Sequence, residues 1–247
     1  MSSRAAAAPL LVEARVGGAR AWCSGRAQGN VGDHVGDDPA VVARNRSALA
    51  ALVGPSDPDE WIWVRQVHGA DVHVTTGRAS GARASGPGRG PAAEADAVVT
   101  AVRRLPLAIV TADCAPLVVA SDSAIGVVHA GYRGLAAGVI EAAIAQVRAL
   151  GSGDVRAFLG PCIRAAEYEF GAADLAPFVA RFGAVAEGRT RAGRPALDIP
   201  AVIRVVLDRV GVVEFDDCGI CTAESRNYFS YRRDGDTGRQ ATIALLP

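Results

Sequence analysis

Lysine is absent from this chain; all 26 of its Lys/Arg positions are arginine. That excludes a Schiff-base lysine and the lysine of a phosphate-binding P-loop. Any oxyanion must instead be held by arginine forks, backbone N–H groups or a metal ion. Histidine is scarce too, with four residues (His34, His68, His73 and His129), and the one methionine is Met1. A multicopper oxidase builds a trinuclear cluster from many imidazoles and adds a separate His₂Cys site, which four histidines cannot supply. Net charge is missing as well: the formal value is +0. The sequence therefore carries no electrostatic footprint for nucleic acid or an anionic membrane.

Long apolar runs are also lacking, so no bilayer-spanning segment is expected. The opening MSSRAAAAPLLVEARV has only a brief apolar stretch before Glu13, which argues against a secretory signal and for a cytoplasmic location. Cysteines are few and odd in number: Cys23, Cys114, Cys162, Cys218 and Cys221. They show no framework spacing, which fits a reducing compartment better than a disulfide-stapled domain.

What is present is a chain of 247 residues, half of them hydrophobic, enough for one large domain across residues 1–247. Strand-like runs alternate with helical patterns, the signature of a mixed α/β fold. Strands are predicted near 10–16, 61–67, 70–75, 96–101, 106–111, 125–129, 155–159 and 240–245. DDPAVVARNRSALAALVG predicts a helix capped by Asp37 or Asp38, with Pro39 in its first turn and Gly54 as its stop. GLAAGVIEAAIAQVRALG predicts a second helix, closing at Gly151. DIPAVIRVVLDRVG predicts a third, capped by Asp198 with Pro200 in its first turn. Residues 77–95, rich in Gly, Ala, Ser, Arg and Pro, read as a flexible surface loop.

Three reactive side chains fall at the ends of strand-like runs: His68 after WIWVRQV, Cys114 after LAIVTAD, and His129 after IGVV. Two imidazoles and a thiolate suit Zn²⁺ and leave a fourth position open, the pattern of a catalytic rather than a structural site. The ligands are far apart in sequence, unlike a compact H-E-x-x-H or paired C-x-x-C, so residues satisfied at strand ends remain the alternative. Asp113 reads as a supporting or turn residue, because neighbours on a strand point to opposite faces. His73 alternates with Val72 and Val74, and His34 sits in a Gly/Asp-rich turn. In HAGYRG, Gly131 permits unusual backbone and a helix starts nearby, so Arg133 and the turn form a candidate anion site. Arg46 and Asn30 are weaker candidates for substrate or phosphate. The CGIC cysteines lack a second pair to complete a zinc knuckle and read as buried thiols.

Motifs along nearly the whole chain carry a resemblance: NVGDHVGDDPAVVARNR (30–46), RQVHGADV (65–72), ADAVVT (95–100), TADCAPL (111–117), GVVHAGYRG (126–134), FLGPCI (158–163) and FSYRRDGDTGRQ (229–240). Together they resemble the laccase-domain purine nucleoside phosphorylase family, also known as polyphenol oxidase or peptidoglycan editing factor. The resemblance implies one zinc per chain on His68, Cys114 and His129, with copper the less favoured metal. It implies phosphorolysis of adenosine, inosine, guanosine and methylthioadenosine, deamination of adenosine, and hence a purine nucleoside and phosphate as partners. The family usually has Trp where this chain has Tyr132, a change that keeps an aromatic wall. The expected architecture is a single α/β domain of mixed β-sheets flanked by helices, layered α/β/β/α. The competing readings are a cysteine hydrolase editing cell-wall precursors, with Cys114 as nucleophile and His129 or His68 as base, and a non-enzymatic metal-binding protein. Oligomeric state and the roles of Arg232 and Arg233 have no signature in the sequence.

Overall fold

The computed structural model describes residues 11–54, 57–77 and 93–247. Its first strands are β1 (Val12–Val16), β2 (Ala19–Cys23), β3 (Ile62–Trp63), β4 (Val72–Thr75) and β5 (Ala97–Thr100). The middle of the chain adds β6 (Leu107–Thr111), β7 (Ala115–Ala120), β8 (Ile125–Ala130) and β9 (Arg156–Leu159). The last strands are β10 (Glu187–Arg189), β11 (Pro195–Leu197), β12 (Glu214–Asp217) and β13 (Gln240–Leu245). Helices are α1 (Pro39–Val53), α2 (Tyr132–Ala137), α3 (Val139–Leu150), α4 (Ala172–Phe182), α5 (Ile199–Arg209) and α6 (Tyr231–Asp234).

Two mixed sheets dominate, one of five strands ordered β1-β2-β13-β6-β3 and one of six ordered β12-β9-β7-β8-β5-β4. Side-chain alternation along each strand sorts the core into three slabs. Leu107 and Ile109 of β6 pack with Val118 of β7, Val127 of β8 and Phe158 of β9, filling the space between the sheets. Ala108 and Val110, from the other face of β6, join Trp22, Trp61 and Trp63 beneath Leu49 and Val53 of α1. On the far side, Leu117, Val119 and Val128 meet Ile140, Ile144 and Val147 of α3 and Val202, Ile203 and Val206 of α5. The order is helix, sheet, sheet, helix, the α/β/β/α layering expected. No helix among the described residues is long and apolar enough to cross a membrane.

The predicted caps are present. Asp38, rather than Asp37, accepts from the Ala40 N–H at 2.8 Å to start α1, and Asp198 accepts from Ala201 at 3.0 Å to start α5; each satisfies an orphan donor of the first turn. The second predicted helix is split in two. Gly138 adopts φ 91° between α2 and α3, a left-handed geometry that glycine tolerates without strain. Most of the loop predicted at 77–95 lies outside the described residues.

The site depends on β7, which is absent from the strands predicted from the sequence and carries Pro116 at its second position. Pro116 pairs with His129 across β8, while the ladder to β9 begins only at Leu117. Its carbonyl accepts from Gly160, so its missing N–H lies on the β9 side, before that ladder starts. A proline is tolerated there.

Candidate metal centre and its cavity

The donor atoms of His68, Cys114 and His129 all lie within 4.8 Å of one another. His129 comes from the end of β8, Cys114 stands immediately before β7, and His68 sits on the turn leading to β4. The β7–β8 pairing brings Cys114 and His129 together, because Ala115 lies opposite Ala130 and Pro116 opposite His129. His68 is delivered by a turn in which it adopts φ 61°, uncommon for a non-glycine residue.

Asp96, fully buried just before β5, stabilises that turn. Its carboxylate accepts from three successive backbone N–H groups, those of Val67 at 3.2 Å, His68 at 2.9 Å and Gly69 at 2.6 Å. The same carboxylate lies 2.7 Å from Nδ1 of His129. One acid therefore fixes the loop bearing one imidazole and the ring of the other. Burial alone would raise its pKa, but the His129 contact and the backbone donors outweigh burial and hold it below the ordinary value. With Nδ1–H donating to Asp96, the His129 Nε2 lone pair is the one available to a metal.

Cys114 follows Asp113, whose φ of 91° turns the chain sharply. The Asp113 carboxylate accepts from the Thr222 hydroxyl at 2.6 Å and the Arg232 N–H at 2.7 Å, so it pins two distant segments behind the thiol. Burial pushes the Cys114 thiol up, but His129 and His68 more than offset this and bring its pKa down to about 6. Burial would lower His129, yet Cys114 and Asp96 raise it to about 9. Without metal, both shifts favour a thiolate beside an imidazolium.

The space around the donors fits an ion. A Cβ added at Gly131 would lie 3.1 Å from Cys114 Sγ, 3.1 Å from His68 Cδ2 and 3.8 Å from His129 Nε2. Gly131 has an ordinary φ of −73°, so glycine is needed there for room and not for the backbone freedom expected from the sequence. The set is a soft thiolate with two imidazoles, suited to a single Zn²⁺ with a position left open. Among the described residues no second group of this kind converges, so multicopper chemistry does not fit.

The donors open onto a cavity of about 390 Å³. Tyr132 and Tyr168 line it, and both rings contact Phe170, at centroid distances of 5.4 and 5.5 Å. Gln66, Thr111, Tyr231, Arg232, Arg239 and the exposed His34 complete much of the wall. Arg133 is not among the lining residues; it is exposed, with its guanidinium 5.3 Å from the Tyr132 ring. Arg46 donates to the Val31 carbonyl at 2.9 Å, lies 3.4 Å from Asp33 and stacks on Trp63 at 4.2 Å, locking α1 to its preceding loop away from the lining. Asn30 holds the Gly32 backbone and accepts from the Arg239 N–H at 2.8 Å, a positioning contact. His73 lies on β4, half-buried and outside the lining. Cys162 and Cys221 are buried and bridge backbone to backbone, and Cys218 is half-buried.

Residues 10–247 match the family described as multi-copper polyphenol oxidoreductase laccase. The chain belongs to that family. It is 42% identical over 223 residues to a purine nucleoside phosphorylase of Streptomyces coelicolor, covering 88% of this chain and 87% of that one. It is 39% identical over 224 residues to a purine nucleoside phosphorylase of Corynebacterium glutamicum, covering 88% and 87%. Among solved structures it is similar to a Neisseria meningitidis protein, with TM-score 0.80 and 30% identity over 96% of this chain and 98% of that one. YlmD from Geobacillus stearothermophilus superposes with TM-score 0.81 and 28% identity, covering 93% and 92%. The family description mentions copper, yet the donors converging in this chain suit one ion.

Sequence reasoning missed Asp96, Thr111, Gln66, Tyr168, Tyr231 and Arg239. Asp96 and Arg239 stand inside the family motifs, but no spacing rule links an acid at the mouth of one strand to a histidine at the end of another.

Proposed function

We propose that the protein is a zinc-dependent purine nucleoside phosphorylase that also deaminates adenosine, with adenosine, inosine, guanosine and methylthioadenosine as its nucleosides. The observation that carries this reading is the convergence of His68, Cys114 and His129 on a nucleoside-sized cavity, supported by the names of the relatives. In phosphorolysis a phosphate oxygen bonds to the ribose C1′ as the C1′–N9 bond breaks. The base leaves with the bonding pair and takes up a proton. In deamination water replaces the C6 amine and ammonia leaves.

The chain's own residues have distinct tasks. Tyr132 and Tyr168 offer aromatic walls against which a purine stacks. Asp96 holds the Nδ1 proton of His129 and keeps Nε2 turned to the cavity. Asp113 fixes the strand end that presents Cys114. A zinc ion held by His68, Cys114 and His129 would supply Lewis-acid chemistry at this wall.

The test is turnover of adenosine and inosine by purified protein with and without phosphate, alongside metal content, for wild type and Cys114→Ala. Phosphate-dependent release of free base, lost with the metal in the variant, is expected. Base release that ignores phosphate overturns the phosphorolytic reading.

A second reading is favoured by one observation: Cys114 lies beside His129, each shifting the other toward its charged form. That pair resembles the nucleophile and base of a cysteine hydrolase acting on cell-wall precursors. It requires activity that survives chelation and is abolished by thiol alkylation; loss on metal removal and recovery on zinc addition sinks it.

A further inference from the structure

Arginine in this chain is mostly spent on carboxylates or carbonyls. Arg233 is an example: it pairs with Asp234 at 2.7 Å and donates to the carbonyls of Thr222, Ala223 and Ser225. Two neighbours in the same C-terminal segment are different. Arg232 and Arg239 both line the cavity that holds the donor triad, and neither forms an ion pair with a carboxylate among the described residues.

Arg239 is half-buried and set in place before any ligand arrives. Its Nη1 donates to the carbonyls of Thr237 at 2.7 Å and Gly238 at 3.1 Å, and its backbone N–H is held by Asn30. Gly32 leaves room for its stem, since a Cβ there would lie 2.7 Å from Arg239 Cγ. Arg232 donates to the Glu169 carbonyl at 3.0 Å and lies 4.8 Å over the Tyr168 ring. In both residues guanidinium donors remain for something else.

The acid in the same lining, Asp113, forms no ion pair with either guanidinium, although its charge is felt at Arg239, and it is engaged elsewhere. One of its oxygens is held by the Thr222 hydroxyl and the other by the Arg232 backbone N–H. A further lining residue, Thr111, is 2% exposed and its hydroxyl has no hydrogen-bond partner. A buried hydroxyl without a partner is costly and uncommon in a native structure. Two guanidinium groups without a carboxylate partner and a hydroxyl without a hydrogen bond make a wall suited to an anion with several acceptor oxygens.

We propose that Arg239, Arg232 and the Thr111 hydroxyl form the seat for inorganic phosphate in this cavity. The proposal rests on the phosphorolytic reading above and gives its second substrate a place. It also moves that place away from Arg133, whose exposed side chain lies over Tyr132 and outside the lining.

The experiment reads phosphate directly. Equilibrium binding of radiolabelled inorganic phosphate to zinc-loaded protein, and the phosphate KM at saturating inosine, are measured for wild type, Arg239→Gln, Arg232→Ala and Thr111→Val. Loss of a charge-assisted contact is expected to weaken phosphate roughly tenfold or more in each arginine variant, with a smaller loss for Thr111→Val. Zinc content and far-UV circular dichroism confirm that each variant is folded and loaded. Should Arg239→Gln fail there, Arg232→Ala decides the outcome, because its backbone bond to Asp113 survives the substitution.

Unchanged phosphate affinity in folded arginine variants, with wild type still consuming phosphate, overturns the seat and leaves the phosphorylase reading standing. Loss of phosphate binding in Arg133→Ala with Arg239→Gln intact overturns it in favour of the helix turn. Weakened binding of adenosine monophosphate without weakened inorganic phosphate assigns the wall to a nucleotide's phosphoryl group and also overturns it. Base release by wild type without phosphate removes the phosphorylase reading itself.

Discussion

Cys114 and Cys162 share a residue type and a place at the end of a strand, yet their environments push them in opposite directions. Burial raises both. Around Cys162 nothing reverses that: burial is the dominant influence and its thiol is driven well above the ordinary range, despite Arg164 nearby. Around Cys114 two imidazoles reverse it, and the thiol falls to about 6. Ionisation of a thiol is set by what faces the sulfur as well as by how deeply the residue sits.

The largest effect that could break this contrast is loss of metal. Removing the only sulfur donor in Cys114→Ala should abolish stable zinc binding, measured as zinc retained after gel filtration, whereas Cys162→Ala should retain the metal. A Cys114→Ala protein that keeps stoichiometric zinc would refute the donor assignment. Alkylation of metal-free protein makes the same comparison through chemistry. Since the Cys114 pKa is lowered to about 6, its thiolate is populated above that pH and lost below it. Iodoacetamide labelling, read by mass spectrometry, should rise through pH 6 and level off by neutrality. Cys162, raised and buried, should stay unlabelled over the same range until the protein unfolds. Equal labelling of the two would erase the distinction.

Asp96→Asn is the next step down. The side chain keeps its size but loses the charge that accepts from three backbone N–H groups and from His129. Partners that orient a ligand histidine are worth about 10–100-fold in metal affinity, so zinc affinity by competition with a chelator should fall by roughly that amount. An unchanged affinity would mean that the loop and ring are held by packing alone.

The part of this arrangement legible in the sequence is the part that is local. Asp38 and Asp198 announce their helices because a cap acts within three residues. The triad itself showed as three reactive residues at strand ends, and the motif resemblance joined them. Asp96 was invisible for the opposite reason. Its partners lie 27 to 33 positions away and are brought close by two pairings: β4–β5, with Val72 opposite Ala97, for the His68 turn, and β5–β8, with Ala97 opposite Val128, for His129. Arg239 depends likewise on Asn30, 209 positions away. Gly138 hid a helix break because a glycine within an apolar helical pattern is ordinarily tolerated. Pro116 concealed a strand because the exception it exploits, an unstarted ladder on one side, is a property of the sheet.

The smallest expected effect returns to Cys162. Its sulfur is fully buried within the slab that joins the six-stranded sheet to α3 and α5, and its backbone, not its thiol, makes the bridge to Cys221. Cys162→Ala removes one heavy atom from a packed site, a change on the scale of a methylene deletion, so unfolding should cost about 1 kcal/mol less. Denaturant titration measures this as a lower midpoint at unchanged slope. Because the bridging N–H and carbonyl groups remain, Thr222 should still donate to Asp113 and zinc content should be unaffected. A loss of zinc with no loss of stability would reverse the roles of the two cysteines: the thiol that burial makes inert would be tied to the metal centre.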